Sequence, residues 1–139
     1  MTDADPVVWL RAALDAAERG AQAAAKRAWS PHWEYDSSVR QIRDLNNGNE
    51  LANIYFPEIG NFSAANDPAA VLRRITADRK ILAEHTDDGY GSCKRCAGDH
   101  EDDCECGTVS GYHLREHLDY PCATMRLLAE GYGWTEETT

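Results

Sequence analysis

Between His85 and Gly107 the chain reads HTDDGYGSCKRCAGDHEDDCECG, and this stretch holds four of its five cysteines. No other feature restricts the fold as much. Thiols this close together bind a metal, pair as disulfides or carry redox chemistry, and each use demands a different local structure. The sequence Cys93-Lys94-Arg95-Cys96, followed by Ala97-Gly98, has the form of a zinc knuckle: two thiolates on one tight turn reach one ion, and a glycine after the second lets the backbone curl toward the sulfurs. A redox Cys-x-x-Cys wants a strand before it and a helix after it. Here Gly89, Gly91 and Gly98 surround the pair, which argues against both.

The compartment points the same way. The opening MTDADPVVWLRAALDAAERG carries acids where a signal peptide has bases, and no apolar core follows. No run approaches the ~18 apolar residues of a membrane span. The expected location is the cytoplasm, where thiols stay reduced and clustered cysteines read as ligands.

Candidates for the remaining ligands exceed the vacancies. Cys104 and Cys106 are one choice, although a one-residue spacer is tighter than the usual two to four. His113 and His117 are another, imitating a DNA-binding finger with a middle spacer of 16 residues against the usual ~12. The third choice takes His85 from the end of one helix and Cys122 from the start of the next. Physical reasons favour it. A cysteine in the first turn of a helix faces unpaired N–H groups and the positive end of the dipole, which favour the thiolate a metal needs. His85 lies eight residues before Cys93. Ligands from two helix ends and a knuckle make a closed, structural shell of His85, Cys93, Cys96 and Cys122 around one zinc ion.

His113-Leu114-Arg115-Glu116-His117 matches the inverted zinc-protease pattern, in which two histidines bind zinc and the glutamate is the general base. A third ligand must then come from the last 22 residues, which read as packed helix and tail. The pattern is read as a short polar helix.

The rest of the chain gives an α+β architecture. Asp5 and Pro6 open a helix to residue 28, with Leu10, Leu14, Ala17, Ala21, Ala24 and Ala28 on one stripe, Trp9 and Ala13 beside it. Ser30-Pro31 ends it. Two modestly apolar runs flank Asn46-Asn47-Gly48-Asn49, an antiparallel β-hairpin turn. PEIGNFSAAN reads as a connecting loop. Asp67-Pro68 opens a second helix with Val71, Leu72, Ile75 and Leu82 on its inner face. Pro121 fits the first turn of a last helix, which buries Met125 and Leu128 with Leu127 alongside and is capped by Gly131. The expected organisation is one zinc-stabilised domain, 1–139, with helix and hairpin in 1–66 and a metal-binding helical half in 67–135. Trp9, Trp29, Trp33 and Trp134 read as core or edge packing.

With these residues located, the chain resembles a family of small proteins of actinomycetes and their phages, classed as a domain of unknown function. WLRAALDAAERGAQAAA, Ser30-Pro31-His32-Trp33, NDPAAVLRRITADRKILAEH and PCATMRLLA are each similar to a family segment. The resemblance implies that His85, Cys93, Cys96 and Cys122 are the recurring ligands. It departs at Ala123, where the family has proline, and in this loop's wealth of cysteine and acid, which leaves room for Cys104 or Cys106 to replace His85. It implies no activity.

The formal charge of −10 makes the protein a poor general phosphate binder. With a closed ligand shell, an acidic surface and no convincing catalytic constellation, the expected function is non-enzymatic: a zinc-binding module whose partner is another protein, a host factor if the gene is viral. Nucleic acid is the weaker alternative, through Arg73, Arg74, Arg79, Lys80, Lys94 and Arg95, or as an acidic DNA mimic using Asp99 to Glu105. A small zinc hydrolase using His113, Glu116 and His117 is the third.

Overall fold

The computed structural model describes residues 5–89, 91–97 and 119–135. Its elements are α1 (Pro6–Ala28), β1 (Trp33–Asp36), β2 (Gln41–Asp44), β3 (Glu50–Asn53), α2 (Pro57–Ala65), α3 (Pro68–Glu84), α4 (Lys94–Ala97) and α5 (Ala123–Gly131). The class is α+β. Among the described residues no helix is long and apolar enough to cross a membrane. The chain divides into two compact units, one formed by Leu14–Ala77 and the other by the described residues of Met1–Ala13 and Asp78–Thr139.

α1 begins as its sequence requires. The Asp5 carboxylate accepts the Val7 N–H at 2.8 Å, satisfying one of the donors that a helix start leaves free. Of the expected stripe, Leu10, Leu14, Ala21 and Ala28 are buried, while Ala17 and Ala24 are half-buried. The helix stops at Trp29, which takes a left-handed φ of 66° and is 86% exposed. This tryptophan is neither core nor edge packing, contrary to expectation. It occupies the turn position where glycine is usual, and its ring is left in solvent.

In the Leu14–Ala77 unit, β1, β2 and β3 form an antiparallel sheet in that order. The expected hairpin is β2–β3. Its turn is held by Asp44, whose Oδ1 accepts the N–H groups of Asn46 (2.7 Å) and Asn47 (3.3 Å). The additional strand, β1, pairs Trp33 with Asp44 and Tyr35 with Ile42. At four residues it carries too little alternation to read from sequence.

The segment read as a connecting loop is helix α2. Pro57 opens it, Glu58 sits in its first turn, and the Asn66 side chain donates to the Phe62 carbonyl at 2.8 Å to close it. Gly60 obscures the helix in the sequence, since glycine costs ~1 kcal/mol in a helix interior. The fold uses it for a close approach: the Tyr35 ring lies where a Cβ on Gly60 would have to go. Tyr35 is further fixed by donating from its hydroxyl to the Ile54 carbonyl at 3.1 Å. Gly60→Ala is therefore expected to cost about 1–3 kcal/mol through overpacking, although alanine is the better helix former. Urea unfolding of the variant checks this, and a stabilised variant would contradict it.

α3 starts at the expected place. Asp67 is buried, and its Oδ1 accepts the Ala70 N–H at 2.7 Å while Oδ2 accepts the Trp33 N–H at 3.2 Å. One carboxylate thus caps a helix and anchors the sheet in the same unit. Ile75 and Leu82 are buried on the inner face, with Val71 and Leu72 half-buried. At the other end of the chain α5 departs by a residue or two from its expected bounds. Cys122 is its N-cap, so Pro121 precedes the helix. Gly131 is its last residue and Tyr132 its C-cap. Met125 is buried, Leu128 half-buried and Leu127 exposed.

Candidate metal centre

The site is assembled in the unit that contains Asp78–Thr139, and hydrogen bonding explains how each ligand candidate arrives. α3 ends at Glu84, yet the His85 N–H still donates to the Ile81 carbonyl at 3.1 Å. The imidazole is thus carried on the helix's last turn. The chain then doubles back. Asp87 bridges Cys93, the Asp88 N–H donates to the Ser92 carbonyl (2.9 Å), and the Lys94 N–H donates to the Thr86 carbonyl (2.8 Å). At the tip, Asp87 Oδ1 accepts from Gly89 (2.7 Å) and Gly91 (3.2 Å). Both glycines have left-handed φ, 90° and 82°, which a side chain would penalise. This reversal returns Cys93 to the histidine.

From Cys93 the chain enters the single turn of α4, which carries Cys96. A second bridge, Ser92 to Asp119, and a 2.9 Å bond from the Tyr120 N–H to the Gly91 carbonyl bring the last segment alongside. Past the cis Tyr120–Pro121 bond, Cys122 stands at the start of α5. The far end of α5 is tied as well, since the Tyr132 hydroxyl donates to Asp78 Oδ2 at 2.5 Å. Nothing in the sequence announced that bond.

His85 Nδ1 lies 3.4 Å from Cys93 Sγ, 3.6 Å from Cys96 Sγ and 3.4 Å from Cys122 Sγ. The four donor atoms all fall within 4.8 Å of one another. A ring nitrogen carries either one proton or one lone pair, so it cannot bond three sulfurs at once. One central cation accounts for all three distances. Bonds of about 2.3 Å to sulfur and 2.0–2.1 Å to nitrogen at tetrahedral angles put nitrogen and sulfur about 3.5 Å apart. The donor set therefore fits a metal ion, and these residues could hold one. Cys93 is fully buried and Cys122 nearly so, while His85 is half-buried and Cys96 exposed. Cys104, Cys106, His113 and His117 lie outside the described residues.

The thiols do not titrate alike. Burial works against the Cys122 thiolate, but the Met125 N–H, the Cys93 and Cys96 thiols and the Thr124 N–H outweigh it and hold the thiol below its ordinary value. Cys96 is pushed up from 9.0 to about 12, first by lost hydration and then by hydrogen bonds with Cys93 and Cys122 and by their charges. Tyr120 is pushed up too, by burial and then by the Asp5 carboxylate. A folded-state value above the unfolded one means the unfolded chain releases its proton first, so stability present below the unfolded value is lost as pH rises through the folded one. Metal-free, reduced protein is accordingly expected to lose stability as the pH climbs from 9.0 toward about 12. Melts in chelator and reductant across that window check the sign; a melting temperature that rises with pH there would contradict it.

No curated protein and no solved structure is detectably similar to the chain. Residues 3–133, nearly the whole length, match one family, and the chain belongs to it: the family of unknown function DUF6221.

Proposed function

We propose that the protein holds one structural zinc ion through His85, Cys93, Cys96 and Cys122, and that the fold so braced binds another protein rather than catalysing a reaction. The observation that carries this reading is the single imidazole nitrogen set 3.4–3.6 Å from three sulfurs. Three thiolates and an imidazole in tetrahedral array are a zinc donor set. Bound there, the ion would neutralise the thiolates and cross-link the end of α3, the α4 turn and the start of α5. Four protein donors around one point leave no open position for substrate or water, which separates a structural site from a hydrolytic one.

A protein partner is supported by surface chemistry. The net charge of −10 opposes phosphate backbones, while Trp29 stands exposed.

Elemental mass spectrometry on tag-free protein tests the metal. One zinc per chain is expected, lost in Cys122→Ser and retained in Cys104→Ser. Metal-free wild type, or zinc that depends on Cys104, would overturn the ligand set. Gel shifts at two salt concentrations test the partner class: DNA binding that weakens as salt rises would favour nucleic acid instead.

A further inference from the structure

α2 presents a face that the Leu14–Ala77 unit does not cover. Tyr55 is 73% exposed, Phe56 65%, Ile59 51% and Phe62 70%. Phe56, Ile59, Phe62 and Asn66 follow at steps of three and four, so they form one ridge along the helix. The opposite side is fixed in the unit, with Gly60 buried beneath the Tyr35 ring. An aromatic side chain presents about 150–250 Å², so Phe56, Ile59 and Phe62 leave on the order of 300–400 Å² of mostly apolar surface in one place. A standard interface takes about 800 Å² from each partner, and this ridge is enough for its centre.

Charge identifies what fits it. Glu58 sits at the N-terminal end of the ridge. At the other end Arg74 donates to Asn66 Oδ1 at 2.9 Å, which places a guanidinium beside the helix terminus. A matching surface must offer apolar side chains with a base at one end and an acid at the other, in reversed order. The same face of a second copy, turned antiparallel, is such a surface. Parallel packing would set Glu58 against Glu58. The whole-chain charge does not oppose the contact, because Leu14–Ala77 holds eight acidic and seven basic residues while nearly all of the −10 lies outside it.

We infer that two copies of this chain pair through the α2 ridge about a two-fold axis, with Phe56, Ile59 and Phe62 at the centre and Glu58 of each copy toward Arg74 of the other. The pairing does not rest on the zinc reading.

Sedimentation of the full, metal-loaded chain over a concentration series tests it. Wild type is expected at twice the chain mass. Phe62→Asp is expected to be monomeric, its self-affinity weakened at least ~30-fold as for a central interface residue. Its unchanged zinc content and circular dichroism would show that the fold persists. Glu58→Arg should weaken the dimer, and adding Arg74→Glu should restore it. A wild type that stays monomeric at the highest soluble concentration overturns the inference and assigns the ridge to another protein. A dimer indifferent to Phe62→Asp, or a charge swap that restores nothing, overturns it as well.

Discussion

Protein treated with a strong chelator is expected to melt far below the metal-loaded form and to lose order first around His85, Cys93, Cys96 and Cys122. The size of the effect follows from what else holds that region. α4 is one turn and α5 nine residues. Helices shorter than ~12–15 residues are marginal alone, so both depend on tertiary contacts. Structural zinc contributes an apparent ~10–16 kcal/mol, comparable with the whole ~5–15 kcal/mol stability of a typical domain. Hydrogen exchange locates the loss: amides of Met125 to Ala129 should lose protection, while those of β2, bonded to strands on both sides in the other unit, should keep it longer. Superimposable melts with and without chelator would sink the structural role. Acid should act like chelator, since protons compete for the thiolates.

The second large effect lies on α5. Met125→Ala is expected to cost about 2–5 kcal/mol, because the side chain is fully buried and its removal leaves a cavity. Leu127→Ala, two residues on and exposed, should change stability by no more than about 0.5 kcal/mol. Denaturant midpoints of the pair check the contrast. A costly Leu127→Ala with a silent Met125→Ala would mean that α5 packs by its other face. Zinc content should survive in both variants, because neither residue is a ligand candidate.

What could be read in the sequence was whatever local chemistry dictates. Asp5-Pro6 and Asp67-Pro68 begin helices because a capping carboxylate followed by a proline satisfies a helix start and little else. The Asn-Gly turn before β3 is legible for a similar reason, since few residues accept positive φ. The His85, Cys93, Cys96 and Cys122 set was reachable because Cys93 and Cys96 share a Cys-x-x-Cys turn, while His85 and Cys122 sit at helix ends that capping signals reveal. Cys122 at the N-cap, rather than inside the first turn, is a small displacement that leaves the argument from N–H groups intact.

The remainder depended on contacts between residues distant in the chain. β1 is four residues long, and it becomes a strand by pairing with β2. α2 hides behind Gly60, whose penalty makes sense only once the Tyr35 ring is seen against it. The exposure of Trp29 and of the Phe56–Phe62 ridge could not be known from composition, since apolar residues look alike in sequence whether buried or not. The sequence alone thus determined the starts of α1 and α3, the hairpin turn and a short set of candidate metal ligands, because backbone capping and thiol chemistry act over a few positions. Only the tertiary structure decided that one imidazole nitrogen faces three sulfurs and that α2 turns an apolar ridge outward. Those are facts of packing, set by which distant surfaces meet.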